Sequence, residues 1–149
     1  MIKIISPKLK ADKLKVGIIS ARFNSFVVDH LTKGAEESLE RHGVKNIISL
    51  KVPGSYEIPY ACKWMIENEK VDGIVALGAI IRGATDHYDL VCKACSDGIM
   101  RVQLETGIPI GFGVITTDTI EQAIERSGCK AGNKGIDAAE AMLEMALLG

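Results

Sequence analysis

The stretch VDGIVALGAIIRGATDHYD, Val71 to Asp89, constrains the fold more than any other part of the chain. Its apolar run Ile74-Val75-Ala76-Leu77 shows no polar alternation, the pattern of a strand buried on both faces of a parallel sheet. It reads as the central strand. Gly78 and Gly83 are expected to bracket a turn. Ala84-Thr85-Asp86-His87 then leads into a segment with helical spacing of Val91, Ala94, Cys95, Ile99 and Val102. A small-residue turn between the carboxyl end of a parallel strand and a helix aims N–H groups and the helix dipole at one point, which favours an anion. His87 stands on the rim of that point, and histidine is the side chain suited to take or give a proton near neutral pH. Taken alone, a histidine after a turn is more often a solvated or capping residue. The spacing of Gly78 and Gly83-Ala84-Thr85 resembles a phosphate loop, but Ala84 stands where that motif requires lysine. A nucleotide triphosphatase is therefore not expected.

The rest of the chain repeats the strand-helix alternation. Lys15 to Ser20 reads as the first strand. The first helix is expected to start at Asn24 or Ser25, to carry Val27, Leu31, Ala35 and Leu39 inward, and to stop at Gly43. Asn46 to Val52 is the second strand, Pro53-Gly54 a turn, and Pro59 falls in the first turn of the second helix. Ile110 to Thr116 is the fourth strand, with Phe112 inside it. Asp118 and Glu121 form a capping box for a helix running through Ile124 to Arg126. A loop from Ser127 to Gly132 precedes a last helix with Gly135 near its start and Ala138, Met142 and Met145 along it. Four such alternations predict a parallel sheet with helices on both faces, and ligands in such sheets bind beyond the carboxyl ends of the strands. Ile2, Ile4 and Ile5 read as an extended arm that pairs with a neighbouring subunit's sheet edge.

Composition excludes several classes. At 149 residues the chain suits one domain, and its 47% hydrophobic content exceeds what a small monomer needs, which burial between subunits would explain. A net charge of -1 without a basic cluster gives no field for nucleic acid. Without an 18-residue apolar run or a signal-peptide pattern, no membrane partner and a cytoplasmic location are expected. Cys92 and Cys95 lie three apart inside a helix, which is core spacing. They do not sit at the strand-to-helix turn where a redox pair gains reactivity, and Cys62 and Cys129 complete no metal site.

The carboxyl ends of the first three strands carry an aromatic ring (Phe23), a polar-aromatic-acid triplet (Ser55-Tyr56-Glu57) and the anion turn. Together they suggest a planar polar ring and a phosphorylated partner. At these residues the chain resembles a known family. Ala21-Arg22-Phe23-Asn24, Pro53-Gly54-Ser55-Tyr56-Glu57-Ile58-Pro59, Ile81-Arg82-Gly83-Ala84-Thr85-Asp86-His87, Phe112-Gly113-Val114 and Gly132-Asn133-Lys134-Gly135 are similar, in order and spacing, to the motifs of 6,7-dimethyl-8-ribityllumazine synthases of riboflavin biosynthesis.

The resemblance implies an α/β single-domain three-layer sandwich with a four-stranded parallel, flavodoxin-like sheet over residues 14–149, preceded by an arm over 1–13. It implies a transferase that condenses 5-amino-6-ribitylaminouracil with 3,4-dihydroxy-2-butanone 4-phosphate, without metal or organic cofactor. Phe23 would stack on the pyrimidine, and Ser55, Tyr56 and Glu57 would hold the ring and ribityl chain. Ala79, Ile80 and Ile81 would offer backbone groups to the uracil edge. Ala84, Thr85 and Arg126 would bind phosphate with help from Lys134, and His87 would move protons. Phe112, Arg126 and Lys134 would come from the adjacent subunit of a pentameric ring. Relatives that stop at pentamers carry an insertion between the last two helices. Gly128 to Gly135 shows none, which leans toward an icosahedral shell, with riboflavin synthase as a further partner. Tyr56 stands where many relatives have tryptophan. Asp86, beside His87, either faces the phosphate or caps the following helix. The competing class is a non-catalytic flavodoxin-like binding or shell protein, against which His87, Arg126 and Lys134 argue.

Overall fold

A computed structural model describes residues 1–128 and 132–148. Cys129 and the middle of the loop expected from Ser127 to Gly132 lie outside them. The elements follow in strict alternation: β1 (Lys15–Ala21), α1 (Ser25–Arg41), β2 (Asn46–Val52), α2 (Ile58–Glu69), β3 (Gly73–Ile81), α3 (His87–Thr106), β4 (Ile110–Thr117), α4 (Ile120–Arg126) and α5 (Lys134–Ala146). A single 3-10 turn, Ser55–Glu57, precedes α2.

The four strands pair in parallel in the order β2-β1-β3-β4. The expected central strand is therefore central, and from Gly73 to Ile80 every residue of it is buried. Its side chains alternate between two cores. Val75, Leu77 and Ala79 meet Val27, Leu31, Ala35 and Leu39 of α1 and Ala138, Met142 and Leu143 of α5. Ile74, Ala76 and Ile80 meet Ile58, Cys62 and Met65 of α2 and Val91, Cys95 and Ile99 of α3. This is the expected three-layer sandwich. Helix α5 lies close on α1: a Cβ at Gly135 would collide with the carbonyl of Leu31. Met145, on the same helix, is exposed.

Three local expectations are corrected. Gly78 does not open a turn; it pairs with Val114 inside β3, which runs on to Ile81. Glycine is needed there because the 3-10 turn presses on the strand, and a Cβ at Gly78 would collide with Ser55 Oγ. The capping box of α4 lies one residue on. Thr119 Oγ1 accepts from Gln122 N at 3.1 Å while Gln122 Oε1 accepts from Asp118 N at 2.9 Å. Asn24 flanks α1 as expected, but its side chain makes no cap.

Ile2, Ile4 and Ile5 are exposed, whereas Ala11 is buried and its N–H donates to His42 O at 2.9 Å. Among the described residues no helix is long and apolar enough to cross a membrane.

Candidate active site

Parallel strands deliver their carboxyl ends to one rim, and here β1, β2 and β3 open a cleft of about 570 Å³. The turn after β1 supplies Phe23, a residue 72% exposed that lines it. Backbone bonds from Arg22 N to Val52 O (2.8 Å) and Phe23 N to Pro53 O (3.1 Å) fix this turn to the one after β2. Asn24 holds the left-handed conformation (φ 64°, ψ 39°). Its Nδ2 donates to Ala79 O at 2.7 Å, which ties the Phe23 turn to the end of β3. A non-glycine residue in that conformation is over-determined by its surroundings, here by this bond. The turn after β2 supplies a buried Ser55, an exposed Tyr56 and Glu57.

The end of β3 and the start of α3 supply Ala79, Ile80, Ile81, Gly83, Thr85 and His87. Thr85 Oγ1 accepts from His87 N at 3.3 Å, taking the first orphan donor of α3. The backbone N–H groups of Gly83, Ala84 and Thr85 find no acceptor among the described residues, as an anion-receiving turn requires. Ala84 lies on this loop without lining the cleft. The side chain of Asp86 forms no helix cap, which removes one of its two expected roles.

Phe112, Arg126 and Lys134 are not in this cleft. They line a second one, of about 510 Å³, on β4, α4 and α5. Phe112 is 46% exposed on β4, a sheet-edge strand. Arg126 ends α4 and donates to Gln122 O at a long 3.4 Å, and Lys134 opens α5 beside Asp137 at 3.5 Å. Two half-buried cations thus face an open surface next to an aromatic ring, with Asp137 as the one counter-charge lining the cleft among the described residues.

Several cleft residues received no site role in the sequence, Asn24, Pro53, Gly54 and Gly83 of the turns among them. Tyr88 and Val91 line the cleft with His87; the helical spacing of Val91, four residues from His87 and three from Tyr88, was the available signal. Burial pushes the Tyr88 hydroxyl above its ordinary value. Burial also pushes the thiols of Cys62 and Cys95 up to about 12, so neither is a nucleophile.

A sequence model of a family described as 6,7-dimethyl-8-ribityllumazine synthase matches residues 13–149. A protein of that name from Desulfovibrio desulfuricans is 50% identical over 145 residues, spanning 96% of this chain and 93% of its own. One from Nitratidesulfovibrio vulgaris is 51% identical over the same length and shares. Among solved structures, a GDP-L-fucose synthetase from Naegleria fowleri bound to NADP superposes with a TM-score of 0.50 at 12% identity, covering 95% of this chain and 47% of that one. That likeness concerns the fold alone.

Proposed function

Because the chain belongs to the 6,7-dimethyl-8-ribityllumazine synthase family, we propose that its two clefts are the two halves of one active site, joined only when subunits meet. The enzyme is a transferase of riboflavin biosynthesis. It condenses 5-amino-6-ribitylaminouracil with 3,4-dihydroxy-2-butanone 4-phosphate and releases phosphate and water. The observation that carries the shared-site reading is the division of labour between the clefts. One holds the stacking ring, the acid and the titratable group; the other holds the two cations.

In the joined site Phe23 stacks on the pyrimidine, while Ser55, Tyr56 and Glu57 hold its edge and ribityl chain beside the backbone of Ala79, Ile80 and Ile81. The turn at Ala84 and Thr85 receives the phosphate, and the fork of the neighbour's Arg126 suits a dianion better than a point charge would. Lys134 adds a second positive charge and Phe112 closes the aromatic wall. His87 passes protons to the carbinol oxygen as the amine adds to the ketone, and takes one from carbon as phosphate leaves. The substrates bring their own nucleophile and leaving group, so much of the acceleration is positional.

The assembly is then a pentamer or larger in the cytoplasm, with residues 1–13 as an arm on a domain over 14–149. The arm's exposed isoleucines favour pairing with a neighbour's sheet. The short Gly128 to Gly135 connection favours an icosahedral shell, within which riboflavin synthase is the natural partner.

The test is complementation between subunits. Chains carrying His87→Ala and chains carrying Arg126→Ala are refolded together in equal amounts, and phosphate release and lumazine absorbance are followed. With head-to-tail contacts and random mixing, about one site in four pairs an intact His87 with an intact Arg126. Activity should recover to roughly a quarter of wild type. Mixed rings no more active than the average of their parents would place both residues in one subunit's site and overturn the reading.

A further inference from the structure

Arg82 lies beside the site without lining it. Its backbone N–H donates to Thr117 O at 2.8 Å, where β3 and β4 end together. Its Nε donates to Asp118 Oδ1 at 2.8 Å, one residue past β4. The guanidinium lies 4.3 Å from the centre of the Tyr88 ring, and Nη1 stands 3.9 Å from Asp89 Oδ1, both in the first turn of α3. One side chain thus bridges the end of the sheet and the start of α3. These are the two fixed points between which the loop with Ala84, Thr85 and His87 is strung. Among the described residues, the hydrogen bonds within that span are those donated by His87 N to Thr85 Oγ1 and by Leu90 N to the carbonyl of Asp86.

We infer that Arg82 is a positioning residue that holds His87 and the phosphate turn in register with the cleft, an inference that rests on the shared-site reading of His87. Its two carboxylate partners are exposed, and exposed ion pairs contribute little to stability, so its removal should leave the fold standing. What changes is alignment. The planar group stacks on Tyr88 while its edge serves Asp118, which fixes where the α3 start, and with it His87, stands relative to β4. A displacement of a proton-transfer group by a fraction of an ångström lowers turnover without touching the pyrimidine contacts on β1 and β2.

The test is a double-mutant cycle on the assembled enzyme. Arg82→Gln should lower kcat about three- to tenfold and raise KM for the butanone phosphate, while the Kd of the pyrimidine changes less than about twofold. Asp118→Asn, which frees the guanidinium without removing it, should give a smaller loss of the same kind. In a His87→Ala background the kcat penalty of Arg82→Gln should shrink to less than about twofold, because the proton-transfer group it aligns is gone, while the rise in KM for the butanone phosphate, which comes from the phosphate turn, should remain. A normal loss for His87→Ala with an undiminished Arg82→Gln penalty in that background overturns the Arg82 inference alone. Full turnover in His87→Ala overturns the role of His87 and the Arg82 inference with it. Should Arg82→Gln fail to assemble, Arg82→Lys, which keeps the charge and loses the planar fork, is read by the same cycle and decides it.

Discussion

Replacing Asn24 separates two physical effects that the structure places on one residue. Its side chain donates to the carbonyl of buried Ala79 at 2.7 Å, beyond the point where the β1 to β3 pairing ends at Ser20 and Leu77. Its backbone is left-handed. Asn24→Gly removes the bond and leaves that carbonyl short of a partner, about 1–2 kcal/mol, and adds about 0.5 kcal/mol of unfolded-chain entropy. Asn24→Ala removes the same bond and forces a Cβ into the left-handed region at about 1–2 kcal/mol. The expected losses are about 2 kcal/mol for glycine and about 3 for alanine. At roughly 2–4 °C per kcal/mol in a chain of this length, the midpoints should fall by about 4–8 and 6–12 °C. Thermal melts followed by the fluorescence of Trp64 measure this. All are run at one protein concentration, because an oligomer's midpoint depends on it. Alanine as stable as glycine would refute the strain, and both variants within about 0.5 kcal/mol of wild type would refute the bond.

Gly78→Ala should push Ser55 and the 3-10 turn off β3, costing about 1–3 kcal/mol and weakening pyrimidine binding in titration calorimetry; unchanged affinity would place Ser55 outside the pyrimidine contacts. Arg126→Ala should weaken the butanone phosphate far more than the pyrimidine, since only the former carries a dianion, and equal weakening in the two titrations would contradict that role. Cys62 and Cys95 remain neutral in the folded chain up to about pH 12, while unfolded thiols ionise near their ordinary 9.0. The stability these thiols leave intact below pH 9 should therefore be lost as pH rises toward 12, by up to about 1.4 kcal/mol per pH unit for each thiol. Denaturant midpoints across that window, compared with a Cys62→Ala, Cys95→Ala chain, would show it; parallel pH profiles for the two chains would not.

The sheet, its helices and the first cleft were legible because each rests on local periodicity: a run buried on both faces, inward stripes spaced for a helix, and turn residues at strand ends. What failed depended on distant partners. Asp118-x-x-Glu121 and Thr119-x-x-Gln122 are overlapping capping boxes with nearly equal intrinsic preference. Arg82, far back in the chain, draws the Asp118 carboxylate to itself and leaves the cap to Thr119. Gly78 read as a turn because nothing near it in sequence announces Ser55 on its other side. The separation of Phe112, Arg126 and Lys134 from His87 had no local signature at all. Only the resemblance to a family anticipated it.

The strand order also bears on how the chain is made. β1 ends at Ala21 and pairs at once with β2, but its other edge waits for β3, which does not begin until Gly73. During synthesis β1, α1 and β2 emerge as a unit whose inner edge is bare and whose apolar faces lack α2, α3 and α5. Parallel pairing over such a gap is slow to close, and the bare edge is a template for other nascent chains. Phe23 and Asn24 are translated early and meet Ala79 only after β3 has closed that gap. The cleft is therefore a late product of folding, assembled from pieces that leave the ribosome far apart in time.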